Sequence, residues 1–166
     1  MDIRGILNST AFFNVVLDAG QLDALAAAAR EVRFGRGEVI MRQGEMGAVM
    51  YALTDGKVVV SVHEPGGERV VATLAPGEVF GEMAVITGDR RSATVKAKGK
   101  ATAIEIGKEA LAPLLAAEPK LAERFGAVIE QRSSELASRN KEARHWVSVG
   151  VGREQIAARM TSFYSG

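Results

Sequence analysis

Between Glu31 and Ile106 the apolar residues fall in short β-branched runs separated by turn residues, and this period constrains the fold more than any other feature. The runs are Glu38–Met41, Val49–Thr54, Lys57–Val62, Arg69–Leu74, Ala93–Ala97 and Thr102–Ile106. Short strands spaced roughly 8–12 residues apart predict an antiparallel sandwich or barrel. Asp55-Gly56 reads as a hairpin turn, and Pro65-Gly66-Gly67 and Ala75-Pro76-Gly77 mark two further turns. Glycine usage agrees. Twelve of the 18 glycines lie between Gly35 and Gly107, so the surplus belongs to turns, or to backbone approached closely by a ligand, in this one region.

On either side the period becomes helical. Gln21 to Arg30 carries Leu22, Leu25 and Ala29 on one face, after a stretch from Met1 to Ala19 that reads as a short helical region. Lys108–Ala117 predicts one helix after the strands. Pro119 suits the first turn of a longer one running to about Lys141, with Leu121, Phe125, Val128, Ile129 and Leu136 as its apolar stripe. The expected architecture is α+β: helices over residues 1–30, an antiparallel β-roll of the double-stranded jelly-roll kind over 31–107, and helices over 108–142. A tail over 143–166 follows. It holds Trp146 and a possible helical face of Ile156, Met160 and Phe163, and it could pack on the domain, bind a partner or be disordered.

Composition excludes several classes of function. A formal charge of +1 argues against a strongly basic nucleic-acid binder. Without cysteine there is no disulfide framework and no thiol nucleophile. His63 and His145, the two histidines, lie far apart, so a metal enzyme of the cupin sort is not expected, nor any resident metal. No apolar stretch reaches the roughly 18 residues of a membrane span, and the start MDIRGILNST has no signal-peptide pattern. The expectation is a soluble, cytoplasmic module; any membrane part it serves would lie outside this chain.

The chemistry concentrates in Phe80–Val95, FGEMAVITGDRRSATV. Gly81 to Ile86 reads as a short helical turn whose unpaired N–H groups favour an anion. About ten residues on, Arg90-Arg91-Ser92-Ala93 can return an arginine to the same spot for a forked contact. Glu82 beside a bound phosphate needs a donor of its own, and a ribose hydroxyl would serve. Together these residues suggest a phosphate with a sugar attached. Taken singly, Arg91 fits a solvated or surface-paired arginine and Glu82 a plain acid at a helix start.

This segment resembles the phosphate-binding cassette of cyclic nucleotide-binding domains, and the resemblance extends from Ala11 to Lys141 through GEVIMRQGE and YALTDGKVVVSV. It implies that Arg91 grips the cyclic phosphate and Glu82 accepts from the ribose 2′-hydroxyl. Backbone N–H groups around Gly81, Met83 and Ala84, with those of Ser92 and Ala93, complete the cradle, and Arg90 faces solvent. Serine at position 92, where relatives preferring cyclic GMP often carry threonine, implies cyclic AMP (cAMP) over cyclic GMP (cGMP). Ala72 and Leu74, alternate residues of one strand, should help wall the base.

The pattern is nearest to the C-terminal domains of prokaryotic cyclic nucleotide-gated channels, in which an arginine of the last helix packs on the purine. Arg132 falls in that register, with Arg124 and Arg139 as alternatives and a solvated helix face as the plain reading. The implied function is ligand-driven closure of the last helix to control an effector, a bacterial ion channel in the first instance, with no catalysis and no cofactor beyond the nucleotide. A free-standing cAMP receptor or a truncated transcription-factor sensor is the alternative. Direct binding of nucleic acid is not expected, because the residues after Lys141 are too few for a helix-turn-helix unit with its own core.

Overall fold

The computed structural model describes residues 2–139 and 152–165. His145, Trp146 and the side chains of Leu136 and Arg139 lie outside the described residues. Three helices open the chain: α1 (Ile3–Ser9), α2 (Ala11–Asn14) and α3 (Ala19–Ala28). Asp18 starts α3 with a reciprocal cap, accepting from the Gln21 N–H while the Gln21 side chain accepts from the Asp18 N–H. α3 stops at Ala28, short of the expected Arg30, because Arg30 already pairs with Glu105 as the first residue of a strand.

Eight strands follow: β1 (Arg30–Phe34), β2 (Val39–Met41), β3 (Val49–Asp55), β4 (Val58–Glu64), β5 (Gly67–Leu74), β6 (Val79–Phe80), β7 (Thr94–Ala97) and β8 (Ala101–Gly107). They form two antiparallel four-stranded sheets, ordered β1-β8-β3-β6 and β2-β7-β4-β5, which face each other as a roll and do not join into one closed barrel. β1 and β6 are absent from the sequence-predicted runs. REVRF alternates charge with Val32 and Phe34 and so carries a weak signal, and β6 is two residues long.

The turn signals have different fates. Pro65-Gly66 closes a two-residue hairpin, with Glu64 opposite Gly67. Asp55-Gly56 does not make the expected hairpin, since β3 pairs with β6 and β8 while β4 pairs with β5 and β7. This turn is a corner that carries the chain from one sheet to the other. Gly56 has φ +80°, and a Cβ there would overlap the Lys100 carbonyl. The corner is therefore set by the close approach of the Lys100–Ala101 backbone.

The remaining helices are α4 (Glu82–Ile86), α5 (Lys108–Ala117), α6 (Leu121–Arg139) and α7 (Arg153–Ser165). Pro119 lies ahead of α6 and not in its first turn; its carbonyl accepts from the Ala122 N–H. Strand alternation divides the core in two. Met50, Ala52, Ile104 and Ile106 face the helices, whereas Tyr51, Leu53, Ala101 and Ala103 face the roll interior. Ile156, Ala157 and Met160 of α7 join the helical core, so this part of the tail packs with the preceding domain. Among the described residues no helix is long and apolar enough to cross a membrane.

Candidate functional site

α4 interrupts the strands where sequence reading places a helical turn. Gly81 is the residue before the helix, not its first residue, and adopts φ +78°. A Cβ there would stand 2.7 Å from Arg91 Nη1, so this position combines left-handed backbone with close approach of an arginine. Ala84, Val85 and Ile86 are buried and anchor α4.

Arg91 is held by its backbone and aimed by its side chain. Its N–H donates to the Glu45 carbonyl at 2.8 Å and its own carbonyl accepts from the Gly44 N–H at 2.8 Å, tying the cassette to the segment after β2. Its Nη1 donates to the Gly81 carbonyl at 3.1 Å. The residue is only 7% exposed, and burial lowers its pKa against the opposing pull of Tyr51, Glu82 and Glu45. Among the described residues no carboxylate lies within 4.0 Å of its guanidinium.

Glu82 is also buried. Its carboxylate accepts from Nη1 of Arg132, whose Nη2 donates to the Val79 carbonyl. Arg132 therefore reaches from α6 to the start of α4. Arg124 pairs instead with Glu118 at 3.2 Å on the surface.

Between α4 and α6 lies a cavity of about 270 Å³, lined by Gly81–Ala84, Asp89–Ser92, Met41 and, from α6, Ile129, Arg132 and Ser133. Its charges are mostly matched within the protein. Glu82 meets Arg132, Asp89 meets Arg159 of α7, and Arg90, exposed, donates to the Gly44 carbonyl. Arg91 remains a buried cation facing the cavity without a carboxylate partner among the described residues. That arrangement suits a single anionic group.

Not every predicted residue comes here. Met83 and Ala84 do, and Ser92 lines the cavity with its side chain exposed. Ala93 is fully buried in the roll. Ala72 and Leu74 share the inward face of β5 opposite Val60 and Val58, but Leu74 is 1% exposed inside the roll and neither lines this cavity. Met41, Asp89, Ile129 and Ser133 line the cavity without having been expected there. Ile129 and Ser133 carried a usable signal, because i, i+3, i+4 spacing puts them on the same helix face as Arg132.

The family pattern described as the cyclic nucleotide-binding domain matches residues 31–118. A cAMP-dependent protein kinase regulatory subunit of Mucor circinelloides is 32% identical over 121 residues, which is 70% of this chain and 28% of that one. A chain named as a potassium channel protein in Rhodopseudomonas palustris is 33% identical over 118 residues, again 70% of this chain and 28% of that one. This chain thus spans little more than a quarter of the length of these relatives. The crystal structure of the N-terminal domain of a transcriptional regulator from Streptomyces coelicolor superposes with a TM-score of 0.66 at 27% identity, covering 81% of this chain and 94% of that one.

Proposed function

The chain belongs to the cyclic nucleotide-binding domain family, and on that footing we propose that it is a regulatory module binding cAMP, in preference to cGMP, between α4 and α6. The observation that carries this reading is Arg91: a buried cation, without a carboxylate partner among the described residues, facing a cavity it shares with Glu82. Arg91 takes the cyclic phosphate in a forked, charge-assisted contact, helped by N–H groups at the start of α4. Glu82 accepts from the ribose 2′-hydroxyl, and Ser92 at the rim accommodates adenine.

Arg132 occupies part of the same space, so nucleotide entry exchanges its contact with Glu82 for the ribose hydroxyl and frees the guanidinium to stack on the base. α6 moves with it. The switching energy is the ligand's differential affinity for the two positions of α6. The module acts by binding, without catalysis and with no cofactor beyond the nucleotide, on the cytoplasmic side where the nucleotide is present.

Its output goes to an effector outside the described fold. A bacterial ion channel is the first reading, supported by the R. palustris relative. The kinase and transcriptional-regulator relatives support the alternative of a free-standing receptor or a transcription-factor sensor. Titration calorimetry with cAMP, cGMP, cyclic-di-GMP and 2′-deoxy-cAMP tests the reading. cAMP should bind tightest and the 2′-deoxy analogue about tenfold or more weaker, as expected for one hydrogen bond to a charged group. Absence of binding by both cyclic mononucleotides refutes it.

A further inference from the structure

We propose that α7 is a control element docked on the nucleotide site, with Arg159 and Tyr164 as positioning residues that act through Asp89 and Val85 of the cassette. The proposal rests on the site reading above and extends it to a segment beyond the family match, which ends at residue 118.

Three contacts join α7 to the stretch from α4 to Asp89. The Tyr164 hydroxyl donates to the Val85 carbonyl at 2.7 Å. The Met83 and Ala84 carbonyls are taken by the N–H groups of Thr87 and Gly88, so Tyr164 satisfies a carbonyl that the short helix leaves over. Burial holds this hydroxyl well above the ordinary tyrosine pKa, and it stays a donor. The Phe163 ring packs on Gly88, where a Cβ would stand 2.7 Å from it. Arg159 pairs with Asp89, a residue of the cavity lining two positions before Arg91.

Both ends of α7 are fastened. At its start the Arg153 N–H and guanidinium grip the Glu130 carboxylate at 2.9–3.1 Å, and Gly126 of α6 leaves no room for a side chain against the Arg153 carbonyl. At its end Lys108 Nζ donates to the Phe163 carbonyl at 3.1 Å and lies 3.8 Å over the Phe163 ring. Glu130 is two residues from Arg132 on α6. α7 therefore bridges the two elements that flank the cavity, α6 through Glu130 and the cassette through Val85, Gly88 and Asp89, of which Asp89 lines the cavity itself.

The sign of the coupling follows from charge. An unpaired Asp89 carboxylate at the cavity wall opposes an incoming phosphate, and Arg159 cancels it only while α7 is docked. Docked α7 thus favours nucleotide, and nucleotide must favour docked α7 by the same factor.

The test uses the full chain. Arg159→Ala should weaken cAMP binding about fivefold by calorimetry, at the lower end of ordinary coupling, and Arg159→Lys should recover most of the loss. The Arg159–Asp89 pair is partly exposed, so the variant keeps the fold. Asp89→Asn combined with Arg159→Ala should restore near wild-type affinity, which a merely structural role would not do. Hydrogen exchange across residues 153–165 should slow when cAMP is added. If the wild-type chain binds cAMP but Arg159→Ala leaves affinity within twofold, or Asp89→Asn fails to rescue it, the α7 proposal is overturned and the site reading stands. If the wild-type chain binds no cyclic nucleotide, both are overturned.

Discussion

Replacing Arg91 by alanine should separate binding from stability, because affinity depends on its guanidinium far more than the fold does. In the folded chain the residue is 7% exposed and donates to one carbonyl, that of Gly81 at 3.1 Å. Burial lowers its pKa, so Tyr51, Glu82 and Glu45 offset the desolvation only in part. Removing it deletes one hydrogen bond and relieves a buried cation, a net change within about 1 kcal/mol. For a chain of this size that is a shift of about 2–4 °C in the thermal midpoint. In the complex the same group meets a desolvated phosphate, and truncating one partner of such a pair costs about 2–5 kcal/mol. A middle value near 3 kcal/mol weakens binding on the order of 10²-fold. Arg91→Lys keeps the charge but loses the planar fork and should fall between. Calorimetry gives the dissociation constant, and thermal denaturation without ligand gives the stability. A midpoint lowered by about 10 °C or more, with affinity within threefold of wild type, would make Arg91 a structural residue and not the phosphate ligand.

Two further substitutions probe the frame around it. Arg132→Ala leaves the Glu82 side chain, 9% exposed, without its cation; breaking a buried pair costs about 3 kcal/mol, so the ligand-free midpoint should fall by about 6–12 °C, and an unchanged midpoint would remove the pair from the account. Gly56→Ala forces a side chain into φ +80° and onto the Lys100 carbonyl, so urea denaturation should show a loss of about 2 kcal/mol or more, whereas retention of the wild-type midpoint would contradict the corner geometry.

Sequence and structure agree most closely where one short stretch carries both the signal and its consequence. Phe80–Val95 held the short helix, the glycine before it and the arginine that returns to it, all within 16 residues. The Val49–Asp55, Val58–Glu64 and Gly67–Leu74 strands followed from β-branched runs between turn residues. The sequence signal is weakest where it is short or mixed, as in β1 and β6, and where a turn motif has two uses. Asp55-Gly56 looks alike whether the next strand pairs with the last or leaves for another sheet.

Residue order by itself determined the period of each segment, the turns that punctuate the roll and the candidate anion-binding residues, because steric preference and side-chain chemistry act within a few positions. Tertiary structure alone decided the division of β3 and β4 between two sheets, the meeting of Arg132 with Glu82, and the seating of α7 against Val85–Asp89. The side-chain pairings among these join residues 50 to 79 positions apart. Which distant surfaces meet depends on how all the apolar faces are buried together, and no local stretch of sequence carries that information.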